Sequence, residues 1–279
     1  MPQIPGQGGR NEDPADELVR SFGRQFKIFR ERAGLTQAEL GEQLGYGEAQ
    51  IASIEQGRRI ARPQTIDRAD ELLGAGGVLT ARKKELALAR YPTFFRGAAR
   101  IEEEAAEYHQ YECLVVPGML QTEEYARTLL ALWRPRWTDT EIEEMVMARL
   151  TRQAFFDHKP ARTGSFVLEE ALLHRPLGSK QVLRGQLEQL LLFGNHPNIE
   201  VQVMPTQVAD HTCLDGPFTL MTPRDGDQVA YLESHGNGRV IANRETVRGF
   251  AVRYGILRAQ AMSPDRSLRH IEKLLQGEL

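Results

Sequence analysis

The chain has 279 residues, of which 41% are hydrophobic and 26% charged, and a net charge of −3. That is material for about two domains with the composition of an ordinary globular protein, and no apolar run approaches the roughly 20 residues of a membrane span. The charge gives no chain-wide attraction for nucleic acid: residues 1–75 carry ten Lys/Arg against twelve Asp/Glu, so any DNA contact must use a local patch.

The opening MPQIPGQGGRNED lacks the apolar run of a signal peptide and reads as a disordered tail over residues 1–13. Asp13-Pro14 then starts a helix, with Leu18, Phe22, Phe26 and Phe29 on one apolar stripe and Gly34 as its C-terminal cap candidate. Thr36 begins a second helix with the capping box TQAE. That helix ends near Leu44 at the turn Gly45-Tyr46-Gly47, and a third runs from Glu48 to Gln56. Two short helices about a glycine turn, with Ala38, Leu40, Leu44, Ile51 and Ile54 as the apolar set, describe a helix-turn-helix. The outward face of the third helix is then Glu48, Ala49, Gln50 and Ser53, side chains short or polar enough for a major groove. A fourth helix, Pro63 to Leu73, precedes a linker at Gly74-Ala-Gly-Gly77.

The run LTQAEL, then LG, then IASIEQG resembles the helix-turn-helix of the Xre/Cro-type regulators over about 60 residues. The resemblance implies that Gln37 contacts a phosphate and that Glu48, Ala49 and Ser53 read bases with Gln50 beside them. Arg58, Arg59 and Arg62 follow as phosphate contacts, and Arg30 and Glu55 form a structural pair between the first and third helices. Glu48 departs from the usual polar or basic residue at the first reading position. An acid there suits the helix dipole but opposes phosphate unless it accepts from a cytosine amino group, so the operator sequence stays unread.

Beyond Gly77 the stretches TARKKELALARY and TFFRGAARIEEEAAEYHQYE read as helices, the second with a solvated charged face. Pro117 and Thr122 start a helix carrying Tyr125, Leu129 and Leu132, and the box TDTE at Thr138 starts another that runs to about Asp157. SFVLEEAL begins like a strand, and Ser179 caps a helix ending at Gly194. IEVQVM, PFTLMT and QVAYLE are strand-like, separated by turns at Pro223–Gly226 and at His235–Gly238, the latter with an Asn-Gly hairpin signal. Two helices, about Arg244–Gln260 and Ser263–Gln276, close the chain. The expectation is an N-terminal all-α helix-turn-helix bundle (14–77) and a C-terminal α+β domain (78–279) with a helical half and a small, mainly antiparallel sheet.

VVPGMLQTEEYARTLL, RLTRQ, LEEALLHRPLGS, QLEQLL, NIEVQVMP and GPFTLM, in that order, resemble the C-terminal domain of actinobacterial antitoxin-like transcriptional regulators. The resemblance implies a small toxin-like protein partner encoded nearby and brings no catalytic residues.

Three constellations could carry chemistry. His211, Cys213 and Asp215 alternate and could share a strand face as metal ligands, but the spacing fits no standard zinc pattern and Gly216-Pro217 suggests a loop. Ser179 and Lys180 are adjacent, so their side chains diverge and make no Ser/Lys nucleophile pair. Glu169-Glu170, followed by His174 and Arg175, pairs carboxylates on neighbouring positions that also diverge. No catalytic residue, metal or cofactor is expected. Cys113 and Cys213 form no Cys-x-x-Cys motif and read as reduced thiols of a cytoplasmic protein. Leu187, Leu190, Leu191 and Phe193, and Trp133 and Trp137, read as core. The expected function is a sequence-specific DNA-binding regulator, a homodimer on double-stranded DNA, controlled through its second domain by a small protein or ligand. The alternatives are a sequestering antitoxin module and a ligand-gated sensor.

Overall fold

The computed structural model describes residues 14–277 other than 90, 92, 135, 158 and 159, so the expected tail at 1–13 lies outside the described residues. The chain divides into two compact units, 1–93 and 94–279.

The first unit is helical: α1 (Pro14–Arg32), α2 (Gln37–Leu44), α3 (Glu48–Glu55), α4 (Pro63–Leu72), a 3-10 turn (Thr80–Arg82) and α5 (Lys83–Ala89). Thr36 caps α2 with the reciprocal box, its hydroxyl accepting from Glu39 N–H while the Glu39 carboxylate accepts from Thr36 N–H at 2.7 Å. Gly45 ends α2 at φ +75°, a conformation that costs glycine nothing. Phe22, Phe26, Leu40, Ile51, Ile54 and Ile66 are 2% exposed or less and fill the core, each worth about 1.5–3 kcal/mol in area removed from water. Ala38, expected among them, is exposed. α1 and α3 touch backbone to backbone: a Cβ added to Gly23 would lie 2.5 Å from the Ile54 carbonyl oxygen.

The unit does not stop at Gly77. Leu79 and Leu86 are buried in the same core. The Asp70 carboxylate accepts from the N–H groups of Gly77, Leu79 and Thr80 at 2.6, 2.8 and 2.8 Å. The glycine segment expected to be a linker is thus a loop folded around a buried carboxylate, and the boundary falls at Thr93.

The second unit is a mixed six-stranded sheet with helices on both faces. Its strands are β1 (Ala105–Glu112), β2 (Thr163–Glu169), β3 (Ile199–Met204), β4 (Phe218–Pro223), β5 (Val229–Ser234) and β6 (Asn237–Ile241), in spatial order β3-β2-β1-β4-β5-β6. β1, β2 and β3 are mutually parallel, and β1-β4, β4-β5 and β5-β6 are antiparallel. The helices are α6 (Thr93–Glu104), α7 (Glu123–Ala131), α8 (Asp139–Gln153), α9 (Glu170–His174), α10 (Lys180–Gly194), α11 (Arg244–Gln260) and α12 (Pro264–Gln276). α7 and α8 lie in the crossover from β1 to β2, α9 and α10 in that from β2 to β3. One face packs Tyr108, Phe166, Leu168, Val201 and Val203 with residues of α6, α7, α10 and α12; the other packs Tyr111, Val167, Phe218 and Leu220 with Val247, Tyr254 and Leu257 of α11.

This corrects the small, mainly antiparallel sheet. β1 comes from the half read as helical, β2 falls where SFVLEEAL begins like a strand, and the sheet is doubly covered. The expected long helix breaks at Ala105: AAEYHQYE puts Tyr108 and Gln110 on one face and His109 and Tyr111 on the other, the strand period. Within the expected turn at His235–Gly238, the chain reverses two residues before the Asn-Gly pair. Ser234 pairs with Asn237, and His235 and Gly236 occupy the two loop positions at φ +49° and +73°, a type I′ turn, so the Asn-Gly pair starts β6.

Candidate nucleic-acid interface

Three side chains, Arg30, Gln37 and Glu55, lock α3 to α1 and α2. Arg30 is buried against Glu55, with Nη2 donating to Oε2 at 3.1 Å and Nε donating to Oε1, while Nη1 donates to the Leu35 carbonyl at 2.7 Å. Gln37 Nε2 donates to the same Glu55 Oε2 at 2.7 Å. The start of α2, the end of α1 and the end of α3 therefore meet at one carboxylate. The sequence placed Gln37 among the phosphate contacts. Its amide has a second N–H, so the bond to Glu55 orients the group and leaves one donor for another acceptor.

On the outer side, Glu48 and Ala49 are exposed and Gln50 and Ser53 are half-buried. Two of the four are partly committed within the helix. Gln50 Oε1 accepts from Gly47 N–H at 3.0 Å, and the Ser53 hydroxyl donates to the Ala49 carbonyl at 2.8 Å. What they can offer a base edge is the Gln50 NH2 and the Ser53 oxygen lone pairs. Arg58 and Arg59 follow immediately, their N–H groups bonded to the Ser53 carbonyl at 2.9 and 3.2 Å, and Arg62 caps α4. Arg58 and Arg62 are exposed and Arg59 half-buried. The short α3–α4 connection thus gathers three guanidinium groups beside a face carrying the single acid Glu48.

The second-unit constellations separate. His211 Nε2 is 2.8 Å from Glu169 Oε1, which also accepts from the Tyr111 hydroxyl at 2.9 Å. Cys213 Sγ instead donates to Asp215 Oδ1 at 3.4 Å and the Gly216 carbonyl at 3.3 Å. Burial and the neighbouring Asp215 push the thiol up to about 12. Asp215 is held by Arg253 at 2.8 Å. Ser179 accepts from Val182 N–H as the cap of α10. Leu187 and Leu190 are core as expected, but Trp133 is 44% exposed. No helix of the described residues is long and apolar enough to cross a membrane.

A helical bundle in which two short helices meet about a glycine turn, the second exposing Glu48 and Ala49 and leading into a basic loop, is a helix-turn-helix protein, and a helix-turn-helix domain model matches residues 21–82. The rest of the chain is matched over residues 95–273 by the family described as domain of unknown function (DUF5753). The protein belongs to that family. No curated protein and no solved structure matches the chain.

Proposed function

We propose that the protein is a sequence-specific, DNA-binding transcriptional regulator of the cytoplasm, not an enzyme, that places α3 of each of two copies in successive major grooves of a roughly palindromic site. The observation that carries this reading is the α3 face of Glu48, Ala49, Gln50 and Ser53, held by the Arg30–Glu55–Gln37 cluster and flanked by Arg58, Arg59 and Arg62. Gln50 and Ser53 read bases; Gln37 and the arginines hold phosphates. A first unit that carries fourteen Lys/Arg against thirteen Asp/Glu has almost no net positive charge and needs two copies on DNA to bind tightly, and the second unit is where they join. Support for that role comes from α11, where Val252 and Ile256, one turn apart, are 58% and 41% exposed. The second unit also receives the signal, a small toxin-like protein or a ligand, as in antitoxin-like regulators.

DNA selection and sequencing on the full-length protein tests this. Gln50→Ala should weaken binding to the enriched inverted repeat selectively. Arg58→Ala should weaken binding to all sequences alike and reduce the dependence on salt by about one phosphate contact. Unaltered binding by both variants would remove α3 from the groove. Absence of any enriched site, with the product of a neighbouring gene co-purifying, would favour a protein that acts mainly by sequestration.

A further inference from the structure

Glu169 and Glu170 part at the end of β2, and only Glu169 enters the His211–Tyr111 cluster. Glu170 begins α9, and His174 lies one turn later on the same short helix, so both are on one face. α12 brings a third group to them from 96 positions away in the sequence: His270 Nε2 lies 3.1 Å from Glu170 Oε1. Yet that nitrogen is buried and makes no hydrogen bond, so the approach is close without the alignment that an N–H donated to a carboxylate adopts. One ligand atom from each of Glu170, His174 and His270 falls within 4.8 Å of the other two. The other Glu170 oxygen is already fixed, accepting from Thr206 N–H at 2.8 Å just beyond β3. Burial would raise the Glu170 carboxyl, but the Thr206 backbone and hydroxyl and the two imidazoles outweigh it and hold it below the usual carboxylate range.

We propose that Glu170, His174 and His270 form a binding site for a divalent transition metal, with zinc the best match. Bonds of about 2.0–2.2 Å to nitrogen and oxygen in tetrahedral geometry put neighbouring ligand atoms roughly 3.3–3.5 Å apart. The Glu170–His270 spacing is already close to that, and the exposed His174 side chain closes the third edge by a small rotation. Two imidazoles and one carboxylate suit zinc or its first-row neighbours, whereas calcium and magnesium prefer all-oxygen shells. Three protein ligands leave a fourth position, on the side of the exposed His174, for water or an incoming anionic group. The metal would tie α12 to the C-terminal end of β2, and it stands independently of DNA recognition.

The test is zinc titration of untagged, chelator-treated full-length protein, read by calorimetry and elemental analysis, with cobalt absorption reporting the ligand field. The result expected is one zinc per chain and a rise in melting temperature on loading. His174→Ala and His270→Ala should each weaken zinc by more than the roughly 10–100-fold that follows loss of a ligand's supporting partner. His235→Ala, on the β5–β6 turn, should leave binding unchanged. His174 is exposed, so its variant keeps the test decisive if His270→Ala fails to fold. Absence of saturable binding at one equivalent, or undiminished binding by folded His174→Ala, would overturn the site.

Discussion

Truncating Glu55 to alanine would leave the Arg30 guanidinium, 7% exposed, without its hydrogen-bonded carboxylate and with only the exposed Glu31 at 3.7 Å, and would take the acceptor from Gln37. A buried charge stripped of its partner costs about 3–5 kcal/mol, which should appear as a loss of that order in urea-melt stability of the first unit. Glu112 makes a different prediction. Burial raises its carboxyl from 4.5 to about 8, against hydrogen bonds from Gln110 and the following backbone that pull the other way. Between those two values the folded chain holds a proton that the unfolded chain has released, so this residue makes stability fall as pH rises through the window. At about 1.4 kcal/mol for each pKa unit between the two states, the loss reaches a few kcal/mol by pH 8. Glu112→Gln should therefore flatten the melting temperature between pH 5 and 8.5 and raise it at the alkaline end. A variant that tracks the parent at every pH would show that Glu112 is ionised at no cost.

Among the elements, those legible in the sequence are the ones whose signals are local. The boxes at Thr36–Glu39 and Thr138–Glu141 are reciprocal hydrogen bonds across three residues, and α11 and α12 start at Asn243 and Ser263 caps. What escaped depends on partners distant in the chain. β1 is charged and polar enough to pass for a helix face, and it becomes a strand because Phe166 and Val167 on one side and Leu220 on the other bury its tyrosines. His174 was visible beside Glu170, but nothing in the local pattern announces His270. Likewise the Gln37 amide looked like a free surface group until Glu55, 18 positions on, came into reach. Asp70 was an unremarked acid in a helix. It is 6% exposed; burial would push its carboxyl up, but the N–H groups of Thr80, Gly77 and Leu79 overcome that and hold it below the usual range. Asp70→Ala orphans those three donors and should lower the thermal stability of the first unit by about 2 kcal/mol or more. Asp70→Asn, which keeps one acceptor oxygen, should lose less.

At the scale of the molecule, the two units handle the same problem in different ways. The second covers a wide sheet on both faces and closes its β3 edge with α12 and the residues leading into it: Met262 N–H, just before the helix, donates to the Val203 carbonyl, and the Ser267 hydroxyl of α12 accepts from Val203 N–H, both at 2.9 Å. The first is small, and its core is complete only when the chain has passed Gly77 and returned through Leu79 and Leu86. This decides where the protein can be cut. A fragment of residues 1–93 should melt cooperatively and keep whatever affinity a single copy has for DNA. One ending at Gly77 lacks a wall of its own core and should show a broad, low transition by circular dichroism. An experimenter who trims at the glycines and finds no binding would credit the missing domain with an effect that belongs to an unfolded reader.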